Sequence, residues 1–314
     1  MAAKSSSPLK ILLGGLILLL FLGLVEHFIG WGNLLSPWKE IPSGTIALTI
    51  FLSFVSYWLR TVRLYDYFRT DMRGQFLLGL RLMLQHNLLN NILPMRSGEI
   101  SFPVLMNRYF QVPLVRSLPA LLWFRILDLH TLSLLGLLAI GHYWFSATTS
   151  NLLAALWLTI PWWLYHGQRR LHALLDPQHA NRLISLSHRL LKSLPQSGRH
   201  FWSSWFWTLT NWLVKLAVFA WVLLIFVDMP VSAAWIAAIS GDLTSVLPIH
   251  GIAGAGTYEA GVVAGAALFS IPIESVLPGA INLHLFILAS TLIGGALSLI
   301  IPVRKTPAIS NNQP

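Results

Sequence analysis

The sequence has no cysteine among its 314 residues. That excludes disulfides, thiolate nucleophiles and cysteine-ligated zinc or iron–sulfur centres, and it leaves the compartment open. Charge is scarce as well: 10% of the residues are Asp, Glu, Lys or Arg, with 11 acids against 21 bases. A soluble globular domain carries about a quarter charged residues. So little charge, with 55% hydrophobic residues and a mean hydropathy of +0.65, excludes that class and indicates an integral membrane protein. The apolar residues run in long leucine-rich stretches with 14 tryptophans. This suits helical spans with interfacial aromatics, whereas a transmembrane barrel alternates apolar and polar residues in short segments. The formal net charge of +10 falls beside the hydrophobic runs, as in loops facing anionic lipid, so it is read as topology and not as a nucleic-acid surface. No His, Asp and Glu cluster has metal-ligand spacing, and no metal or cofactor is expected.

The first apolar run, 9–29, follows Lys4 and Lys10 and has no small-x-small cleavage pattern after it, which predicts a retained span with the N-terminus inside. A second run, 44–64, returns to Arg60, Arg63, Arg69 and Arg73, a basic group expected in the cytoplasm. The stretch 76–93 is apolar but carries Arg81, Gln85, His86, Asn87, Asn90 and Asn91 before meeting Pro94, which predicts a re-entrant half-helix. A second half-helix, 100–110, follows Ser97-Gly98-Glu99 and ends before Pro113. A long span, 118–144, places Arg125, Asp128 and His130 in one helical arc, and a short span, 152–165, comes back with a bend at Pro161. The polar, basic segment 167–200 reads as a cytoplasmic amphipathic linker. Then come a span at 201–227, half-helices at 231–247 and 256–269, and a last span at 276–301 before Arg304 and Lys305. The expected fold is an all-α polytopic membrane protein, one transmembrane domain over 1–314. It has about six full spans plus two re-entrant helical hairpins, with both termini cytoplasmic in a bacterial inner membrane.

The two hairpins share a pattern. Leu93-Pro94-Met95-Arg96-Ser97-Gly98-Glu99 and the stretch from Leu247-Pro248-Ile249-His250 to Gly256-Thr257-Tyr258-Glu259 each run Leu-Pro, a basic side chain, glycine, then a glutamate opening a new apolar run. Units 44–145 and 201–301 both read span, hairpin, span, yet their hairpins enter from opposite sides, which makes an inverted repeat. Broken helices in corresponding positions of an inverted repeat are a transporter architecture, and broken backbone at membrane depth is tolerated where it lines a cavity. The two breaks are therefore expected to meet around one cavity.

These breaks, with Arg125-Ile126-Leu127-Asp128 and Gly254-Ala255-Gly256-Thr257-Tyr258-Glu259-Ala260, resemble the motifs of the flippase-like membrane domain of lysylphosphatidylglycerol synthases and its stand-alone relatives. The resemblance covers roughly 76–301. In the family's multiple peptide resistance factor proteins it implies movement of an aminoacylated phospholipid between leaflets, with aminoacyl transfer done by a separate soluble domain for which no counterpart is expected after residue 301. His250 and the connection 251–255 stand where similar proteins have Pro-Gly-Gly.

The expected substrate contacts are Arg96, Ser97, Gly98, Glu99, His250, Gly256, Thr257, Tyr258 and Glu259. Arg96 beside the amides after Gly98 suits a phosphate, against the plainer reading of a snorkelling, topology-setting arginine. Glu99 and Glu259 fall in first helical turns, where a carboxylate either caps amides or serves proton or cation coupling. Asn90, Asn91, Arg125, Asp128, His130, Asp242, Asn282 and His284 are the cavity or coupling candidates. Arg125 and Asp128 most simply form an intrahelical ion pair, and lone histidines are usually hydrogen-bonded interior groups. Gly261, Gly265, Gly294 and Gly295 read as close-packing positions. No nucleophile, base and orienter set is present, so no catalytic residue is assigned. The expected function is transport of a phospholipid or polyprenyl-phosphate-type lipid with an anionic phosphate headgroup. The alternatives are a membrane-embedded lipid-modifying enzyme and a partner subunit of a lipid-synthesis enzyme.

Overall fold

The computed structural model describes residues 19–20, 22–174, 195, 197–244 and 252–303, and among these every regular element is helical. Proline sets most of the boundaries. Helix α1 (Ser43–Tyr67) starts directly after Pro42, and α2 (Phe76–Ile92) stops because Leu93 must be extended ahead of Pro94, with ψ 134°. A 3-10 turn, Pro94–Ile100, leads into α3 (Ser101–Phe110), which closes on a left-handed Gln111 at φ 56°. Pro113 then releases α4 (Leu114–Trp144), followed by α5 (Ala147–Leu174) and α6 (Gly198–Phe226). Helix α7 (Val231–Thr244) begins after Pro230, α8 (Thr257–Ala267) follows the turn Ile252–Gly254, and α9 (Ile273–Ile300) begins after Pro272.

Among the described residues, α1, the 114–141 part of α4, α6 and α9 are long and apolar enough to cross a membrane. By contrast α3, α7 and α8 have 10, 14 and 11 residues. At about 1.5 Å per residue each reaches roughly half to two thirds of a ~30 Å hydrocarbon layer. They are packed in pairs, α2 with α3 and α7 with α8. The expected first span lies largely outside the described residues, although 22–28 is helical. The short span expected at 152–165 is instead the middle of a 28-residue helix. The run after Pro161 contains no second proline, and Leu164, Gln168, Arg169, Arg170, Leu171 and Ala173 are good helix formers, so helix continues to Leu174. The linker expected at 167–200 is correspondingly shorter: its first residues belong to α5, Gly198 to His200 open α6, and 175–194 lies outside the described residues.

Two apolar clusters hold the bundle. One gathers Phe102, Met106, Trp123 and Phe201 around the α1, α2, α3 and α4 ends. The other gathers Leu216, Leu223, Ala237, Val262 and Leu283 from α6, α7, α8 and α9. In the second cluster helices approach through glycine: a Cβ on Gly265 would lie 2.8 Å from Ala237 Cα and from Ile236 O. Backbone atoms cannot yield as a flexible side chain can. Gly98 is equally confined, since its Cβ would lie 2.4 Å from Asn90 Cα and Leu89 O. That contact folds the 3-10 turn back onto the last turn of α2.

Gly265→Ala should therefore destabilise the detergent-solubilised protein by about 1–3 kcal/mol, the usual range for overpacking. Gly136→Ala, where a Cβ would meet nothing within 4 Å, should leave it unchanged. Thermal unfolding followed by tryptophan fluorescence compares the two, and equal midpoints would show that the α7–α8 approach is not tight.

Candidate functional site

Between the two apolar clusters lies a cavity of about 300 Å³. Helix α1 supplies Ser53, Ser56, Tyr57 and Arg60, at helical spacing along one face. Helix α2 supplies Asn87, Asn90 and Asn91 from its final turns, just before the first break. Arg125 and Asp128 come from α4, Trp212 and Lys215 from α6, and Asp242 from α7. Tyr258 and His284 close the wall on the α8 and α9 side, and Ala253 of the second break borders it. The turn Pro94–Ile100 packs against Ile252–Gly254, so the two breaks are neighbours beside this cavity. Ala253 itself is left-handed at φ 54°, a conformation that is uncommon for a residue with a Cβ.

The charges are held in a connected network. Asp128 Oδ1 accepts from Arg63 Nη1 at 2.9 Å and from Trp212 Nε1 at 3.0 Å, and its Oδ2 accepts from Arg125 Nη1 at 2.9 Å. Arg63 also donates to Thr208 Oγ1 at 2.8 Å and lies 4.4 Å from the centre of the Phe124 ring. Arg125 reaches on to Glu99 Oε1 at 2.6 Å, tying α4 to the first break. Across the cavity, Lys215 Nζ lies 2.8 Å from Asp242 Oδ1 and 4.6 Å from the Trp212 ring centre. Arg60 differs from these: its Nη1 donates to the neutral amide oxygen of Asn87 at 3.2 Å, and among the described residues no carboxylate is within ion-pair reach of it. Glu259 is buried; its Oε2 accepts from the Gly256 amide at 2.8 Å and its Oε1 lies 2.6 Å from His284 Nδ1. It therefore caps the first turn of α8 while holding α9.

The structure separates the residues singled out from sequence. Asn90, Asn91, Arg125, Asp128, Asp242, Tyr258 and His284 line the cavity, with Glu99 and Glu259 one contact behind them. Gly98 is packed on the α2 backbone, and Thr257 Oγ1 donates to Gly254 O at 2.9 Å, within the second break. His130 lies elsewhere: its Nε2 is 3.0 Å from Trp157 O, and its ring stacks on Trp157 between α4 and α5. Asn282 accepts from Trp38 Nε1 at 2.7 Å and donates to Leu34 O at 3.1 Å, fastening the segment before α1 to α9. Ser97 and Gly256 are not among the lining residues, while the Arg96 side chain and His250 fall outside what is described.

Arg60 and Arg63, expected with Arg69 and Arg73 as cytoplasmic loop charges, are corrected: both belong to α1, Arg60 on the cavity and Arg63 buried against Asp128. The Arg125–Asp128 pair is likewise not isolated but shared with Arg63, Glu99 and Trp212. Lys215 is a lining residue absent from the sequence-based set; its signal is a lone ionisable group in an apolar run, which marks a polar interior by default. Among the described residues, no three of His, Asp and Glu converge as a metal site requires.

A family model described as the lysylphosphatidylglycerol synthase TM region matches residues 11–295. No curated protein and no solved structure matches the chain.

Removing the Asp128 carboxylate strands Arg63 and Arg125 without their shared partner. Asp128→Ala should cost about 3–5 kcal/mol, as breaking one side of a buried ion pair does. Adding Arg63→Met should recover part of that loss, so that the double variant unfolds at a higher temperature than the sum of the single variants predicts. Strict additivity in thermal unfolding would mean the two side chains do not interact.

Proposed function

Since the chain belongs to the lysylphosphatidylglycerol synthase TM-region family and is an integral membrane protein, we propose that it is a flippase-like lipid transporter. It moves a phospholipid or polyprenyl-phosphate-type lipid between leaflets by alternating access around its two helix breaks. The observation that carries this reading is the polar cavity bordered by Arg60, Arg125 and Lys215, with Asp128 and Lys215 near the middles of α4 and α6. Ionisable groups at such depth are costly in hydrocarbon and are kept where they face a cavity that carries a polar ligand. The volume of about 300 Å³ is at the small end for ligand pockets, enough for a headgroup and not for a whole lipid.

The two breaks support the mechanism. Each is a point where a short helix ends against its neighbour, and each is tied to the cavity by a glutamate, Glu99 through Arg125 and Glu259 through His284. We take the order of span, hairpin, span in 44–145 and 201–301 as an inverted repeat, whose two halves exchange inward-open and outward-open arrangements. In this reading the protein sits in a bacterial cytoplasmic membrane with both termini inside, by the distribution of its basic residues.

Purified protein in vesicles with headgroup-reachable fluorescent lipids tests this directly. Leaflet exchange should be faster than in protein-free vesicles for at least one anionic phospholipid or isoprenoid phosphate, and Lys215→Met, which removes the cation facing Asp242 on the cavity wall, should slow it by about tenfold. Exchange no faster than in empty vesicles across anionic, zwitterionic and isoprenoid lipids would overturn the proposal.

A further inference from the structure

We infer that the cavity takes a singly charged phosphodiester headgroup against Arg60, with the lipid's hydrocarbon leaving sideways between α4 and α9. The inference rests on the ligand being a lipid and adds which phosphate chemistry is held, by which residue, and through which opening.

The charge argument is local. Lys215 already faces Asp242 at 2.8 Å, and Arg125 already faces both Asp128 at 2.9 Å and Glu99 at 2.6 Å. An anion bound at either must displace or crowd a carboxylate, which like-charge repulsion at low dielectric opposes. Arg60 is different: Asn87 Oδ1 takes one of its donors at 3.2 Å, and the Trp212 ring centre lies 5.9 Å from its guanidinium carbon. Its remaining donors are available to a phosphate in the planar, paired geometry that arginine offers. Arg60 is thus the lining cation with no carboxylate in ion-pair contact among the described residues, and it can take one negative charge. A phosphodiester carries one; a phosphomonoester carries about 1.5–2 near neutrality and would bring its second charge toward Asp128 and Asp242. Asn90 and Asn91, also on the wall, are neutral groups suited to the hydroxyls or amides of a headgroup.

The opening argument is geometric. Leu122, Ile126 and Leu129 follow the helical repeat on α4 and line the cavity, yet Leu122 and Leu129 are 38% and 50% exposed. A residue that both lines a cavity and is exposed marks where the cavity opens. Among the described residues helix α4 packs mainly along α3, α5, α6 and α7 and makes at most weak contact with α2 or α9, and Ile287 and Leu288 of α9 also line the cavity. Both rims are apolar. An apolar slot contiguous with a cationic cavity fits an amphiphile whose head lies inside and whose chains stay in the bilayer, and it offers a free phosphate nothing.

The test uses the full chain in phosphatidylcholine nanodiscs, with binding read by native mass spectrometry. The probes are short-chain phosphatidylglycerol, phosphatidic acid and phosphatidylcholine, and inorganic phosphate. Phosphatidylglycerol should bind about tenfold more tightly than phosphatidylcholine, and Arg60→Gln should remove that preference. Arg60→Lys should restore part of it, and Leu129→Trp, placed in the slot, should weaken the lipid and leave inorganic phosphate unchanged. An undiminished preference in Arg60→Gln, phosphatidic acid binding at least as tightly as phosphatidylglycerol, or inorganic phosphate matching the lipid would each overturn the inference. Leaflet exchange that persists in Arg60→Gln would remove this site and leave transport standing. Arg60-dependent binding without any exchange would do the reverse.

Discussion

Asp128 is the point on which the polar interior depends. One carboxylate accepts from Arg63 of α1, Arg125 of its own helix and Trp212 of α6, so three long helices are joined at a single pair of oxygens. In a low-dielectric interior such a node is strong when every lone pair is used and costly when one partner is lost. Arg125 extends it to Glu99 and thereby to the first helix break. The cavity exists because these charges are fastened to its walls and do not collapse onto one another across it.

The second constraint is the short helices. Proline at 94, 230 and 272 and the left-handed residues at Gln111, Ala253 and Gly256 flank the helices that are too short to cross a membrane. Broken ends leave amides and carbonyls unpaired, and the fold answers locally: Glu259 accepts from the Gly256 amide, and Thr257 donates to Gly254 O. The close approach at Gly98 on α2, and at Gly265 on α7, then draws each short pair into a compact unit beside the cavity. Backbone irregularity, glycine packing and buried charge are thus parts of one arrangement.

Much of the cavity is legible in the sequence alone. Asparagines ahead of Pro94, an Arg and Asp within an apolar run, and an Asp beside Gly241 are costly in lipid, and that cost is visible residue by residue. Arg60 belongs to a row of arginines that also fits a loop at a span's end, so its sequence neighbours conceal its place on the cavity. The signal that separates it is periodic: Ser53, Ser56, Tyr57 and Arg60 recur on one helical face. His130 and Asn282 stand away from the cavity wall, since a polar residue in a span is equally at home between two helices or against a tryptophan, as Trp157 and Trp38 show.

Composition and breaker placement by themselves determined the membrane class, the helical fold, the positions where helices end and most of the polar residues that must be enclosed. Those properties follow from the local chemistry of each stretch, its transfer cost into lipid and its backbone freedom. Which charges pair, which one is left facing the cavity, and where the wall opens were decided only by tertiary structure. Arg63 and Asp128 are 65 residues apart, and Lys215 and Asp242 are 27 apart. Arg60 is distinguished from Arg63 by one turn of helix and by what α2 and α4 present to it. No property of either arginine alone carries that difference, because a side chain's electrostatic role is set by the neighbours that packing brings within reach.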